Sequence, residues 1–374
     1  MADSFCVNPW VSMHYVMGKQ INPCCLFAGG VKTNNINEYV NSTELVNAKQ
    51  NLLDNKKIPE CSTCWNKEKQ GGVSKRQRDN KTYKKIFDYR FKKNLEEPNS
   101  SFVEYYVRLG NHCNLRCTSC SDQLSTGWIS EKKKFNLSHG PVIEITATDP
   151  IWQHLKDNAR DIAAIEFIGG EPFMMNTNEQ CDLFAYFVTS GNARHIKLKF
   201  NTNGTRMPKE QMEFWNEFNE IELNVSMDGV QDQFEYLRFP AIWSEFDANL
   251  TKYKELAKTL TNLKLTVMHT LSIFNIGYVQ KTIDYCKEKE IAIFFNMLHA
   301  PTYFNLYNFT PNISKWIQTQ IKDVNDPIIK NIHDRLSEEA GSSDLKFLDK
   351  CQEVDRRRGL SVAKTFPELY KCLI

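Results

Sequence analysis

Apolar and polar residues alternate strictly in three short stretches, Ile196-Lys-Leu-Lys-Phe200, Ile221-Glu-Leu-Asn-Val225 and Leu263-Lys-Leu-Thr-Val267. A period of two predicts strands with one covered face. Glu104–Leu109 and Ile165–Ile168 read as two more strands. Ile291–Met297 is a sixth, apolar enough to be buried on both faces. Helical spacing lies between them. Phe246, Leu250, Tyr253, Ala257 and Leu260 form one apolar stripe, and Val279, Ile283 and Cys286 another, which makes Cys286 a core residue. Pro208–Phe218 opens with proline at a favourable first-turn position. Six strands with intervening helices predict a parallel sheet of β/α units.

The pattern differs on either side of this block. Residues 1 to about 70 are rich in turns and cysteines with weak periodicity, as in small folds held by metal. Ser74–Lys93 is basic and helical, with only Asp79 and Asp88 opposing its lysines and arginines. Pro98-Asn-Ser-Ser101 marks a boundary. Beyond Pro301 the chain reads as helical and polar, with a basic patch at Arg356-Arg-Arg358. The expected division is 1–98, 99–300 and 301–374.

The net charge of +2 over 374 residues gives no global reason to expect nucleic acid or a membrane surface as partner. No basic-then-apolar leader opens the chain and no apolar run approaches bilayer length, so a cytoplasmic protein is expected. In a reducing compartment, clustered cysteines point to metal rather than disulfides.

Cys113, Cys117 and Cys120 form a CxxxCxxC run directly after the first predicted strand. Three thiolates on one loop can hold three corners of a four-iron cluster, which normally takes four cysteines. The remaining iron is then open to a ligand. Other unusual segments follow the next strands in order: Gly169-Gly-Glu-Pro172, Asn201-Thr-Asn-Gly204 and Ser226-Met-Asp-Gly229. In parallel β/α folds, ligands bind at the carboxyl ends of strands. Gly169 and Gly170 allow close backbone approach, and Glu171 can receive an ammonium group. Asn203 offers an amide, and Ser226 and Asp228 offer acceptors for ribose hydroxyls. Each of these is also an ordinary turn residue. His269, Asn296 and His299, at the ends of the last two strands, are candidates for substrate contact, and each alone is as readily a structural polar residue.

Together, the CxxxCxxC run, Gly169–Pro172, Thr202-Asn-Gly204 and Ser226–Gly229 resemble the radical S-adenosylmethionine (SAM) superfamily over roughly residues 101–300. The resemblance implies a partial (β/α)6 TIM-type barrel with a small N-terminal cysteine-rich domain and a mostly helical C-terminal extension. It implies that Cys113, Cys117 and Cys120 bind a [4Fe-4S] cluster whose fourth iron is chelated by SAM. Gly169, Gly170 and Glu171 would contact the methionine amine, Asn203 the polar ligand, and Ser226 and Asp228 the ribose or carboxylate side. Reductive cleavage of SAM would give a 5′-deoxyadenosyl radical that takes hydrogen from a substrate. An electron donor such as flavodoxin or ferredoxin is implied. Two features depart from the family: Ser119 stands where many members have an aromatic residue, and Leu265–Leu271 lacks the Gly-x-Ile-x-Gly pattern.

Cys61-Ser-Thr-Cys64 has chelate spacing, with Cys6 and Cys24-Cys25 as further donors. On spacing alone the site holds zinc or iron–sulfur. Cys6-x2-Pro9-Trp10, Gly18, Pro23-Cys-Cys25, Pro59-Glu-Cys-x2-Cys64, Gly71-Gly-x-Ser-x-Arg76 and the tail Arg358-Gly-x-Ser-x4-Phe366-Pro-Glu-Leu369 resemble twitch or SPASM-type auxiliary-cluster subgroups. That resemblance implies a second [4Fe-4S] cluster on Cys6, Cys24, Cys61 and Cys64, with Cys25 as neighbour or substitute, and pulls weakly towards a peptide substrate. A rival reading is a non-catalytic zinc or iron–sulfur protein whose basic Lys75–Lys93 helix binds a partner or nucleic acid. A third keeps the radical chemistry and acts on a nucleotide or RNA.

Overall fold

The computed structural model describes residues 4–16, 20–69, 72–95, 97–306, 310–338 and 346–373; Gly18 and Gly71 of the cysteine-rich motifs lie outside them. The fold is mixed α/β. All six expected strands form, and two more precede them. They are β1 Ser12–Val16, β2 Gln20–Asn22, β3 Glu104–Arg108, β4 Ala164–Ile168, β5 Lys197–Thr202, β6 Glu220–Ser226, β7 Leu263–Leu271 and β8 Ala292–Met297. The chain packs into two compact units. One comprises residues 1–111, 142–200 and 208–221, the other 112–141, 201–207 and 222–374.

In the first unit the hydrogen-bonded order is β2-β1-β3-β4-β5. The β1–β2 pair is antiparallel, and β1–β3, β3–β4 and β4–β5 are parallel. The cysteine-rich start of the chain thus contributes strands. Ser-Met-His-Tyr-Val alternates, but the run is too short to stand out among the flanking turns.

The two faces of this sheet differ sharply. Met13, Tyr15, Tyr105, Val107, Ile165, Phe167, Leu198 and Phe200 are buried. Phe167 and Phe200 pack on Phe184 of the Thr177–Thr189 helix, and Phe200 stacks on Trp215. The alternate positions are mostly polar, with His14, Glu104, Tyr106, Arg108, Glu166 and Lys199, and Ala164 and Ile168 are among the exceptions.

The basic helix Lys75–Arg90 begins with a capping box between Ser74 and Gln77. Arg78, Lys81, Lys84 and Lys85 face solvent, as a basic helix normally does. Lys75, Arg76, Asp79, Tyr83 and Phe87 are buried instead. Phe87 and Tyr83 join Phe5, Val7, Trp10 and Val103 in a core cluster. Asp79 accepts from Asn8, and Asn80 bonds the backbone of Phe5 and Val7.

In the second unit, β6, β7 and β8 follow one another, with β7–β8 parallel. The expectation that the last strand is buried on both faces is not met. Only Phe295 of β8 is buried, and Phe294 is 45% exposed. The strand ends the sheet order, so its apolar composition was not a guide to its cover. Cys286 is a core residue, 1% exposed. The helical C-terminal region shares a core with the β7–β8 block, in which Phe347, Phe366 and the wholly buried Cys351 join Leu271, Phe274 and Phe295. No described helix is long and apolar enough to cross a membrane.

Candidate functional site

The cysteine triplet occupies the loop between β3 and the Thr126–Lys134 helix. Backbone bonds fix its shape. Arg116 N–H donates to Phe239 O and Thr118 N–H to Leu237 O, each at 2.8 Å. Cys120 N–H donates to Cys117 O at 3.0 Å, and Gly127 N–H to Cys113 O at 3.2 Å. Trp128 Nε1 donates to Cys117 O at 3.0 Å. The Cys113 sulfur accepts from Leu115 N–H at 3.5 Å.

The three thiols share one electrostatic environment. Burial raises the Cys117 thiol, against the pull of Arg238 and Arg358. Burial pushes Cys120 up to about 12, with Cys117 and Cys113 adding to the rise. Protons are therefore held tightly until a metal replaces them. Arg238 is the feature that the sequence motifs missed. Burial opposes its charge, but Asp228, Cys117 and Cys113 keep it protonated. One Nη of Arg238 lies 2.8 Å from Asp228, while its buried Nε has no hydrogen-bond partner. A cation with a spare donor beside three thiols fits an anionic thiolate-bound cluster.

Several motif residues prove to have structural partners. Asn203 Nδ2 reaches the Cys113 sulfur at 3.7 Å and Asn114 Oδ1 at 2.9 Å. Asp228 is 4% exposed, pairs with Arg238 and accepts from Thr270 N–H at 2.9 Å. Ser226 closes β6 and is half-buried. Gly204 has φ +73°, and a Cβ there would lie 2.8 Å from Phe246 and Val225. Ser119 and Asp228 line a closed space of about 10 Å³ with Leu237, Thr270 and Phe274, room for one water. A larger cavity of about 380 Å³ adjoins Cys120, between Trp128, Lys132, Tyr303, Lys350 and Arg357. His269 shares its buried strand face with Val267 and Leu271 and packs on Phe295.

The Gly169–Glu171 segment lies in the first unit. Gly169 has φ +148°, and a Cβ would come within 2.8 Å of Gly110 O. Gly170 N–H donates to that same carbonyl at 3.1 Å. Glu171 is fully buried and accepts from Phe173 N–H at 3.2 Å, capping the next turn.

The second cysteine site is also in the first unit. Cys6, Ala48, Leu52 and Ile58 form a small core against Cys61 and Trp65. Burial raises the thiols of Cys6, Cys24 and Cys61, the last to about 12. Charge on Cys61 and Cys64 also raises Cys6, and charge on Cys24 and Cys64 also raises Cys61. Cys24 in turn feels Cys25 and Cys6. Cys25 behaves differently. The residue is exposed as a whole, but burial lifts its thiol to about 11, and its charged neighbours are Lys75, Glu166, Glu104 and Asp79. Mutual charge effects thus link Cys6 with Cys24, Cys61 and Cys64, while those on Cys25 come largely from the sheet. Among the described residues no three His, Cys, Asp or Glu side chains are set to hold a single metal ion.

Residues 105–236, which include the triplet, match the family of 4Fe-4S single cluster domains. No curated protein matches the chain. Solved structures give remote matches. One is anSMEcpe with bound AdoMet and Cp18Cys peptide, at 18% identity and TM-score 0.44, covering 69% of this chain and 67% of that one. SuiB from Streptococcus suis bound to S-adenosylmethionine matches at 15% identity and TM-score 0.40, covering 66% and 51%. The radical S-adenosylmethionine methyltransferase TsrM from Kitasatospora setae, with cobalamin and a [4Fe-4S] cluster, matches at 10% and 0.37, covering 53% and 34%. The stretch that carries Cys113, Cys117 and Cys120 is thus similar to a 4Fe-4S single cluster domain.

Proposed function

We propose that the chain is a radical SAM enzyme acting on a peptide, with an auxiliary [4Fe-4S] cluster. The observation that carries this reading is the triplet loop, where three half-buried cysteines share one charge environment with the unsatisfied Arg238 Nε. A four-iron cluster with SAM on its open iron supplies one-electron cleavage of SAM and a 5′-deoxyadenosyl radical.

The chain's own residues bind and orient. Cys113, Cys117 and Cys120 hold three irons. Trp128 and the 237–239 backbone keep the loop rigid. Asp228 fixes Arg238 in place, and the Arg238 charge offsets negative charge at the loop. Gly169 lets this segment pack closely on Gly110, whose carbonyl accepts from Gly170 N–H. Cys6, Cys24, Cys61 and Cys64 would saturate the second cluster. We read residues 99–300 as the catalytic portion, 1–98 as the auxiliary-cluster portion and 301–374 as the extension. A flavodoxin- or ferredoxin-type donor would supply the electron.

Anaerobic reconstitution followed by dithionite reduction tests this. Wild type should form 5′-deoxyadenosine from SAM, and a Cys113/Cys117/Cys120→Ala triple variant should not. Equal yields from the two would overturn the reading. The rival zinc protein would be colourless and iron-free, whereas two cubanes carry about eight irons.

A further inference from the structure

The cavity of about 380 Å³ beside Cys120 lies wholly within the second unit. The triplet loop and the Thr126–Lys134 helix form one wall, and the C-terminal Lys346–Arg358 helix forms another. Its volume falls in the range of small-molecule sites. It is not the space that Ser119 and Asp228 line. Thr118 and Cys120 line the larger cavity, and Ser119 between them lines the small one. Leu137, Phe304 and Val354 give the larger cavity an apolar wall, and Ser121 and Tyr303 add hydroxyls. Such a lining suits an organic body that carries a polar group.

The charges on its walls do not balance. Lys132, Lys350 and Arg357 stand against Asp122 and Glu353. Lys132 lies 2.7 Å from Asp122 and Lys350 lies 2.9 Å from Glu353, so each of these cations has its own carboxylate. Among the described residues, Arg357 has none to itself. It stands 3.4 Å from Glu353, which Lys350 holds more closely. It stands 3.6 Å from Glu131, which Arg116 and Arg358 each hold at 2.9 Å. One carboxylate behind the wall thus meets three guanidinium groups and neutralises one.

Of the arginines around Glu131, Arg358 also acts on the Cys117 thiol, so its charge has a use at the loop. Arg357 lines the cavity instead. Its side chain is 12% exposed, and its buried Nε makes no hydrogen bond. A charge withdrawn from water is costly unless an opposite charge meets it. A guanidinium fork matches a carboxylate through two parallel hydrogen bonds. The group that completes the wall is therefore a single carboxylate on an otherwise uncharged body, because a second negative charge would meet Asp122 and Glu353.

We propose that this cavity is a second ligand site, in which Arg357 binds one carboxylate of a peptide, on an acidic side chain or at the C-terminus. The proposal deepens the reading above and rests on it for the word peptide. The test is binding to reconstituted full-length protein by ligand-observed NMR. N-acetyl-glutamate α-methylamide carries a side-chain carboxylate, N-acetyl-alanine a terminal one, and N-acetyl-glutamine methylamide is the uncharged isostere of the first. The tighter of the two carboxylate probes names the group, and it should bind wild type at least about tenfold tighter than the glutamine probe. Arg357→Gln should weaken it by at least about tenfold, and Arg357→Lys, which keeps the charge and loses the fork, should weaken it by less. Ser138→Trp, at an exposed position of the cavity wall, should fill the cavity and weaken binding at least about tenfold, without touching the arginine. Reduced flavodoxin should reduce the cluster of Ser138→Trp at the wild-type rate. A slower rate would assign the cavity to the electron donor and overturn the proposal. No binding to wild type, equal affinity for the glutamine probe, or unchanged binding to Arg357→Gln or Ser138→Trp would each overturn it as well. None of these readouts needs SAM turnover. 5′-Deoxyadenosine formation without probe, on the same preparations, reports separately on the radical chemistry.

Discussion

The triplet and the quartet are locked by the same three residue types in different surroundings. At the quartet, Trp65 follows Cys64 and Glu68 lies one helical turn on. Arg76 stacks on Trp65 at 4.8 Å and bonds Glu68 through two nitrogens at 3.0 and 2.6 Å. At the triplet, Trp128 and Glu131 have the same spacing. Arg358 stacks on Trp128 at 4.5 Å and bonds Glu131 at 2.9 and 3.4 Å. Each arginine comes from a different helix, 8 residues beyond its glutamate at the quartet but 227 beyond it at the triplet. The surroundings separate the two. Glu68 is partly exposed and serves one arginine, while Glu131 is 4% exposed in its side chain and also pairs with Arg116 and Arg357. The quartet lies on a small apolar core, whereas the triplet has the cation Arg238 beside it. The proposed auxiliary site is thus the more apolar of the two, and the proposed SAM-binding loop the more charged.

Exchanging the two losses gives the largest expected effect. Removing Cys113, Cys117 and Cys120 should abolish 5′-deoxyadenosine and leave about four irons. Removing Cys6, Cys24, Cys61 and Cys64 should also leave about four irons while SAM cleavage persists. Iron analysis and product quantification on both variants check this. Loss of all iron from either variant would mean that the sites are not independent.

A narrower comparison separates adjacent cysteines. Cys24→Ser should lose about four irons and Cys25→Ser should lose none, as judged by iron content and Mössbauer spectra.

The clamps should differ in strength. Arg358→Ala leaves Glu131 buried with less compensation and should cost about 3–5 kcal/mol in denaturant unfolding. Arg76→Ala breaks a less buried pair and should cost about 2 kcal/mol. The reverse order would undo the distinction drawn here.

The smallest effect concerns the helix that carries Arg76. Burial opposes the charge of Glu104, but Lys199 and Lys75 hold its pKa below the ordinary value. A depressed carboxylate contributes stability that is full above its unfolded pKa, about 4.3, and is lost as pH falls through the folded value. Glu104→Gln should therefore cost about 2 kcal/mol at pH 7, and the gap to wild type should persist down to about pH 4.3 and close below it. Urea titrations across this range read it directly.

Much of this was legible along the chain. β5, β6 and β7 announce themselves by alternation, and the triplet by its spacing. The Gly169 segment also falls where the motif order put it. Other features were not legible, for particular reasons. β1 alternates over only five residues among turn-forming neighbours. β8 is apolar but lies at the end of the sheet order, and position in a sheet is not a local property. The basic helix carries too many lysines to suggest that Lys75 and Arg76 turn inward, because Lys75 meets Glu104 and Tyr106, about thirty residues away, and Arg76 donates to Phe5 O, 71 residues back. Arg238 has no motif of its own.

Local pattern by itself determined the six strands of the β/α block, the order of the loops that follow them and the set of cysteines. Those depend on periodicity and spacing, which neighbouring residues express. Only the tertiary structure gave Cys24 and Cys25 different charged neighbours, paired Arg358 with Trp128 and turned Lys75 towards Glu104. Adjacent residues on a chain can point into different environments. Which charge meets its opposite is fixed by contacts between segments far apart in sequence.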